Sequence, residues 1–156
     1  MRRKDREVTD GGRIREIIWD CACCRLGFCD GGEAYIVPLS FGYVEEGGRR
    51  TFYFHGAGEG RKAGLIAHSP RVSFELDTGY QLKRGELACN HTARFQSVMG
   101  TGRVSFVEDP AERVKALEAV MEHTVGPGTW SFSETMLAVT AVFKLEVEEL
   151  SCKEHE

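Results

Sequence analysis

Thr51-Phe52-Tyr53-Phe54-His55-Gly56-Ala57-Gly58-Glu59-Gly60-Arg61-Lys62 joins an aromatic, β-forming run to a glycine-loosened turn bearing two adjacent cations, and helix-forming apolar residues follow from Lys62 to His68. Residues of these types in this order suit a phosphate cradle. Glycines let backbone amides approach an anion closely, the first turn of a helix leaves N–H groups without intrahelical partners, and Arg61 and Lys62 add charge and donors. A hairpin end with a solvated basic pair uses the same residues, and spacing alone does not separate the two readings.

Upstream, Thr9 and Asp10 stand where a helix would be capped, and Ile14, Ile17, Ile18 and Cys21 recur at helical spacing as far as about Cys24. Leu26 to Asp30, the turn Asp30-Gly31-Gly32 and Ala34 to Tyr43 then read as a hairpin. Pro38 lies inside the second strand. Proline cannot donate to a ladder, so that strand is expected at a sheet edge, at a bulge, or beside a ligand. Downstream, Ser69-Pro70 stops the short helix and Arg71 to Asp77 forms a strand, whereas Thr78 to Ala88 shows no clear period. Arg94 to Glu108 is β-forming, with Gly100 and Gly102 marking a bulge or a close backbone approach. Asp109-Pro110 opens a helix with Val114, Leu117, Val120 and Met121 on its apolar face and Gly126 as terminator, and Met136 to Leu150 is expected as the last long strand. Five or six strands linked mostly by short turns, with sparse helices, predict an antiparallel barrel rather than a parallel α/β sheet.

A chain of 156 residues suits one domain over 1–156, with 1–10 an extended arm and 151–156 a frayed tail. The net charge of −4 argues against a nucleic-acid or membrane-surface protein, although the opening residues are locally basic. No apolar run approaches a transmembrane helix and no signal-peptide core opens the chain, so a cytoplasmic protein is expected. In that compartment cysteines 21, 23, 24, 29, 89 and 152 are expected as free thiols. Cys21 and Cys24 form the single C-x2-C pair, where a zinc ribbon needs two, so no metal is expected.

Three stretches together resemble a known family: Ile36-Val37-Pro38-Leu39-Ser40-Phe41-Gly42-Tyr43, then Tyr53 to Lys62, then Ser97-Val98-Met99-Gly100-Thr101-Gly102-Arg103. In order and spacing they are similar to the flavin-binding split barrels related to pyridoxamine 5′-phosphate oxidase, most of all to the nitroimidazole-resistance branch. The resemblance implies a mainly β fold with flanking helices, a six-stranded antiparallel split β-barrel holding FMN at the boundary of a homodimer. It implies that Val37, Pro38, Leu39 and Ser40 lie along the isoalloxazine ring, that Arg61 and Lys62 clamp the phosphate, and that Ser97 takes the place of a flavin-contacting glutamine. It also implies that His55 stands near the flavin as a catalytic proton donor to bound substrate. Gly60 replaces the serine of the oxidase's phosphate clamp, and the oxidase's C-terminal tryptophan and arginine, which hold its substrate, have no counterpart here.

The residues support such a site in their own right. A phosphate dianion needs cations, and a flat ring needs an apolar wall with a few backbone donors, which the strand through Leu39, Phe41 and Tyr43 would supply if those residues are not simply core. An imidazole such as His55 can release a proton as a flavin delivers hydride. Two functions follow: an FMN-dependent oxidoreductase reducing a small nitroaromatic acceptor, or a flavin- or haem-binding carrier or sensor without turnover. Fold and cofactor do not fix chemistry.

Overall fold

Asp10 begins the first helix by giving its carboxylate to an amide that the helix leaves without a partner. In the computed structural model, which describes residues 3–155, it accepts from the Arg13 N–H at 2.7 Å, and α1 runs Gly11–Asp20 with Ile14, Ile17 and Ile18 buried. Asp109 repeats the device at α3, Pro110–Val125, with Pro110 in the first turn and Gly126 at the end. Between and beyond these helices lie β1 (Glu7–Val8), β2 (Cys24–Asp30), β3 (Glu33–Leu39), β4 (Gly42–Glu46), β5 (Arg49–Gly56), α2 (Arg61–His68), β6 (Arg71–Lys83), β7 (Thr92–Phe106), α4 (Glu134–Val139) and β8 (Ala141–His155).

The strands form one antiparallel sheet in the order β3-β2-β6-β7-β8-β5-β4, with β1 also paired to β8. Its inner face carries the main core, built on Phe28, Phe41, Phe52, Phe54, Phe74, Phe143, Leu76 and Leu145 together with the α1 isoleucines. Each such side chain, fully buried, stabilises the fold by roughly 1.5–3 kcal/mol in transfer energy alone. A second cluster lies on the opposite face of β5 and β8, where Tyr53 and Val142 pack against Ala116, Leu117, Ala119 and Val120 of α3. Strands β5 and β8 are therefore covered on both sides, which is why Val142 and Phe143, consecutive in sequence, are both buried. Helix α3 sits so close to β4 that a Cβ on Gly42 would fall 2.5 Å from backbone atoms of Ala119 and Val120.

The mainly β architecture with flanking helices matches the expectation from sequence, but the six-stranded barrel does not. Among the described residues eight strands form an unclosed sheet. Two of the additions are local: the run Ala34 to Tyr43 breaks at Ser40–Phe41 into β3 and β4, and the expected N-terminal arm contributes β1. Met1 and Arg2 of that arm, and Glu156 of the tail, lie outside the described residues. The tail expected to fray instead completes β8 as far as His155, held by Glu154, which accepts from Arg13 and Gln96, and by the contact of His155 Nε2 with Arg6. Met136 to Val139 are helical rather than extended, because Ser133 caps α4 by accepting from the Met136 amide. Helix α1 stops at Asp20, short of the expected Cys24, which already belongs to β2. Pro38 lies on an edge strand, one of the three places its sequence allowed.

Candidate functional site

Helix α2 starts from a conformation that only glycine adopts freely: Gly60, at its N-cap, has φ 92°. Glycine has no side chain to cap the helix, so no side-chain hydrogen bond satisfies the first amides of α2. Lys62, in that first turn, folds back over the Phe143 ring at 4.7 Å from its centroid, and its Nζ reaches the space where Gly56 would carry a Cβ. Among the described residues no carboxylate acts on it, and burial pushes its pKa below the ordinary lysine value. A half-buried ammonium beside uncapped helix amides is an anion site in charge and in geometry.

Arg61 points elsewhere. Its Nε donates to Asp30 Oδ2 at 2.7 Å and its guanidinium stacks on the Tyr35 ring at 4.3 Å, so it is committed to the β2–β3 hairpin. The two adjacent cations thus straddle the opening of the sheet, Arg61 reaching the β3 side and Lys62 the β5–β8 side. Sequence reading missed Asp30, Tyr35 and Phe143 as their partners. Asp30 looks like an ordinary turn residue, and nothing in a one-dimensional pattern brings it to position 61.

Among the described residues strand β3 pairs only with β2, with Leu39 opposite Cys24 and Pro38 opposite Arg25, so its other edge is free of them. Val37 and Leu39 pack against the main core, while Pro38 and Ser40 are exposed on the other face with Ile36. In β4 and β5 Gly42 lies opposite Tyr53, where the pairing of the two strands ends. His55 is exposed at the end of β5, opposite Val142 of β8. His55 and Lys62 lie at the same end of β5, since Lys62 sits over Phe143, the partner of Phe54, whereas Arg61 reaches the hairpin end of β3 and Val37 to Leu39 run toward its other end.

Ser97 stands apart from these residues. It is paired with Asp77 and Lys153 in β7, three strands from β3, which is about 14 Å of ladder spacing. Nine residues separate it from Phe106, the partner of Phe143 under Lys62.

The outer face of β2, β3, β6, β7 and β8 holds an open groove of about 900 Å³ lined by Gly27, Ile36, Ser73, Met99, Thr101 and neighbours. Ile36 and Met99 are 62% and 45% exposed there, and the Thr101 hydroxyl is buried without a hydrogen-bond partner. Cys21, Cys24 and Cys152 are buried free thiols whose pKa values rise with burial, that of Cys21 to about 12 and that of Cys152 to about 11. Such thiols do not supply a thiolate at neutral pH. Among the described residues no three His, Cys, Asp or Glu side chains converge to hold a metal ion, and no helix is long and apolar enough to cross a membrane.

Comparison with known proteins gives this geometry a family. The family model described as pyridoxamine 5′-phosphate oxidase matches residues 10–154. A candidate 5-nitroimidazole antibiotic resistance protein from Bacteroides thetaiotaomicron shares 30% identity over 95% of this chain and 86% of its own, with a TM-score of 0.81. The flavocytochrome Anf3 of Azotobacter vinelandii shares the fold at 22% identity, covering all of this chain and 72% of its own, with a TM-score of 0.82. An FAD-binding protein from Mesorhizobium loti does so at 22% identity over 97% of this chain and 98% of its own, with a TM-score of 0.67. No curated protein matches the chain. The chain belongs to the pyridoxamine 5′-phosphate oxidase family, within the flavin-binding split-barrel superfamily.

Proposed function

We propose that this member of the pyridoxamine 5′-phosphate oxidase family is an FMN-dependent oxidoreductase that reduces a small, flat nitroaromatic acceptor. The observation that carries the cofactor is Lys62: a half-buried ammonium with no carboxylate partner among the described residues, beside the uncapped amides of α2. A phosphate dianion satisfies both, and the free edge of β3 at Val37 to Ser40 supplies backbone groups and an apolar flank for a ring. FMN is favoured over a dinucleotide because the chain has one compact cradle and no G-x-G-x-x-G turn after a strand. The flavin supplies hydride chemistry; the chain supplies binding, orientation and a proton from His55, which stands exposed at the same end of β5 as Lys62.

The reading includes a homodimer. In it Ser97, which stands in β7 away from Lys62, would come to the flavin from the second copy, and the groove around Ile36 and Met99 offers an apolar face for that copy. The deciding experiment is mass analysis of the ligand released from purified protein by heat, followed by anaerobic NADH or NADPH addition and then a nitroimidazole. FMN that bleaches and is reoxidised by the acceptor supports the enzyme. FAD or F420 as the main species overturns the FMN assignment, a lone Soret band favours a haem carrier, and reduced flavin inert to the acceptor favours a flavin carrier.

A further inference from the structure

His123, in the last turn of α3, packs its ring against two aromatic side chains, as no other histidine does among the described residues. Its ring centroid is 4.0 Å from that of Phe41 and 5.2 Å from that of Trp19, at interplanar angles of 32° and 44°. Backbone carbonyls of Ile18, Trp19 and Cys21, at the end of α1, and of Phe41 surround the imidazole, and its Nε2 is buried without a hydrogen-bond partner. The ring is thus the common contact of α1, α3 and the short link between β3 and β4.

That link is the most constrained backbone near the proposed cofactor. Ser40 and Phe41 are the whole connection between the two edge strands. Phe41 is fully buried, with its ring 5.4 Å from Phe52, and Gly42 leaves no space between β4 and the α3 backbone. Gly42 and Phe52 fix β4, but β3 on the other side of the corner is held only by β2, because its second edge is free. The direction in which β3 leaves the corner therefore depends on how Phe41 is seated, and besides Phe52 the ring that packs on Phe41 is that of His123, 4.0 Å away between centroids.

We infer that His123 is a positioning residue: by clamping Phe41 against α1 and α3 it sets the Ser40–Phe41 corner and hence the backbone edge of Val37 to Ser40. This rests on the reading of that edge as the flavin's seat, although the clamp itself can be measured without any cofactor. A histidine suits the task because it is flat enough to stack on Phe41 and can donate to a neighbouring carbonyl after a small rotation.

The test uses amide hydrogen exchange of the cofactor-free protein together with flavin titration. Four forms are compared: wild type, His123→Ala, His123→Phe, and Leu117→Ala as a control that opens a cavity elsewhere on α3, in the cluster with Tyr53 and Val142. Expected is at least tenfold faster exchange over residues 39–43 in His123→Ala, with near-wild-type rates there in His123→Phe, which restores the stack. In Leu117→Ala those rates should stay near wild type even when its melting temperature falls as far. Flavin affinity should follow the same order, with the loss in His123→Ala recovered in His123→Phe. Unchanged exchange in His123→Ala, equal loosening in Leu117→Ala, or no recovery by phenylalanine overturns the clamp. If His123→Ala does not fold, His123→Leu, which fills the space without a flat face, takes its place with the same expectations. A loosened corner with unaltered flavin affinity would keep the clamp and remove the flavin from that edge.

Discussion

Replacing Lys62 with methionine should leave the cofactor-free protein as stable as wild type or more so, and should weaken FMN binding strongly. In the free protein the ammonium is half-buried and no carboxylate of the described residues acts on it; burial lowers its pKa below the ordinary 10.5. A lysine that is depressed in the folded state binds its proton more tightly when unfolded, so its charge opposes folding at neutral pH, and stability rises as pH climbs through the window below 10.5. The favourable term is the contact with the Phe143 ring at 4.7 Å. Such a cation–π contact is worth about 0.5–1 kcal/mol, and methionine sulfur over the same ring returns about 0.3–1.5 kcal/mol. The net change for the apo protein is therefore close to zero or stabilising. With the phosphate present the balance reverses, because a charge-assisted hydrogen bond contributes about 1.5–3 kcal/mol. Its loss corresponds to roughly a ten- to 150-fold rise in Kd. Apo melting temperature and FMN Kd, measured on the same preparations, check both signs at once. A Lys62→Met variant that melts several degrees lower yet binds FMN as wild type would show that Lys62 belongs to the core and that the cradle reading is wrong.

Gly42→Ala should cost at least about 1–3 kcal/mol, because its Cβ would lie 2.5 Å from α3 backbone atoms that cannot swing away; a melting temperature within a degree of wild type would contradict the packing. His55→Ala should slow reoxidation of the reduced flavin by a nitroimidazole while leaving the flavin bound; equal stopped-flow rates would remove His55 from the chemistry. Acid should destabilise the protein in two windows: below the ordinary histidine value, where burial keeps His123 from taking the proton that the unfolded chain accepts, and below the ordinary glutamate value, where Glu154 loses its bonds to Arg13 and Gln96. His123→Gln should abolish the first window and Glu154→Gln the second, as read by chemical denaturation across pH. Light scattering on the flavin-loaded protein should give twice the 17.4 kDa chain mass, and Met99→Glu in the outer groove should halve it.

Those elements that the sequence specifies locally were legible. Asp10 and Asp109 cap their helices because capping needs only a side chain and an amide three residues on, and Gly31 and Gly32 turn the β2–β3 hairpin. The two-residue β1 was not legible: Glu7–Val8 has no period of its own and is a strand only because Lys153 and Cys152 lie opposite. The same reason defeats the tail, whose order comes from Arg13, Arg6 and Gln96, distant in sequence. Met136 to Val139 carry apolar residues compatible with either state, and the Ser133 cap decided for the helix. At the candidate site the glycine-loosened turn and Lys62 could be read in advance. The division of labour between Arg61 and Lys62 could not, since it depends on Asp30 and Tyr35 arriving on one side and Phe143 on the other.

The open sheet follows from the same corner. Leu39 and Gly42 are three residues apart, so the ends of the two edge strands lie within about 11 Å of each other. Yet β3 and β4 do not pair: β3 hydrogen-bonds to β2 and β4 to β5. The first turn of α2 stands in the opening, tied to the β2–β3 hairpin through Arg61 and laid over β8 through Lys62. A sheet propped apart in this way keeps a row of backbone donors and acceptors on the free edge of β3, which left bare invites pairing with another chain. A planar heterocycle with polar atoms along one rim can meet that row, and its phosphate can reach the helix that holds the edges apart. If the proposed flavin phosphate sits at the start of α2, moving that start should be felt in cofactor binding and in the packing under it. Shortening the turn Ala57 to Gly60, which sets where α2 begins, should lower FMN affinity and expose the Phe54–Phe143 stack, 5.3 Å between centroids, to solvent.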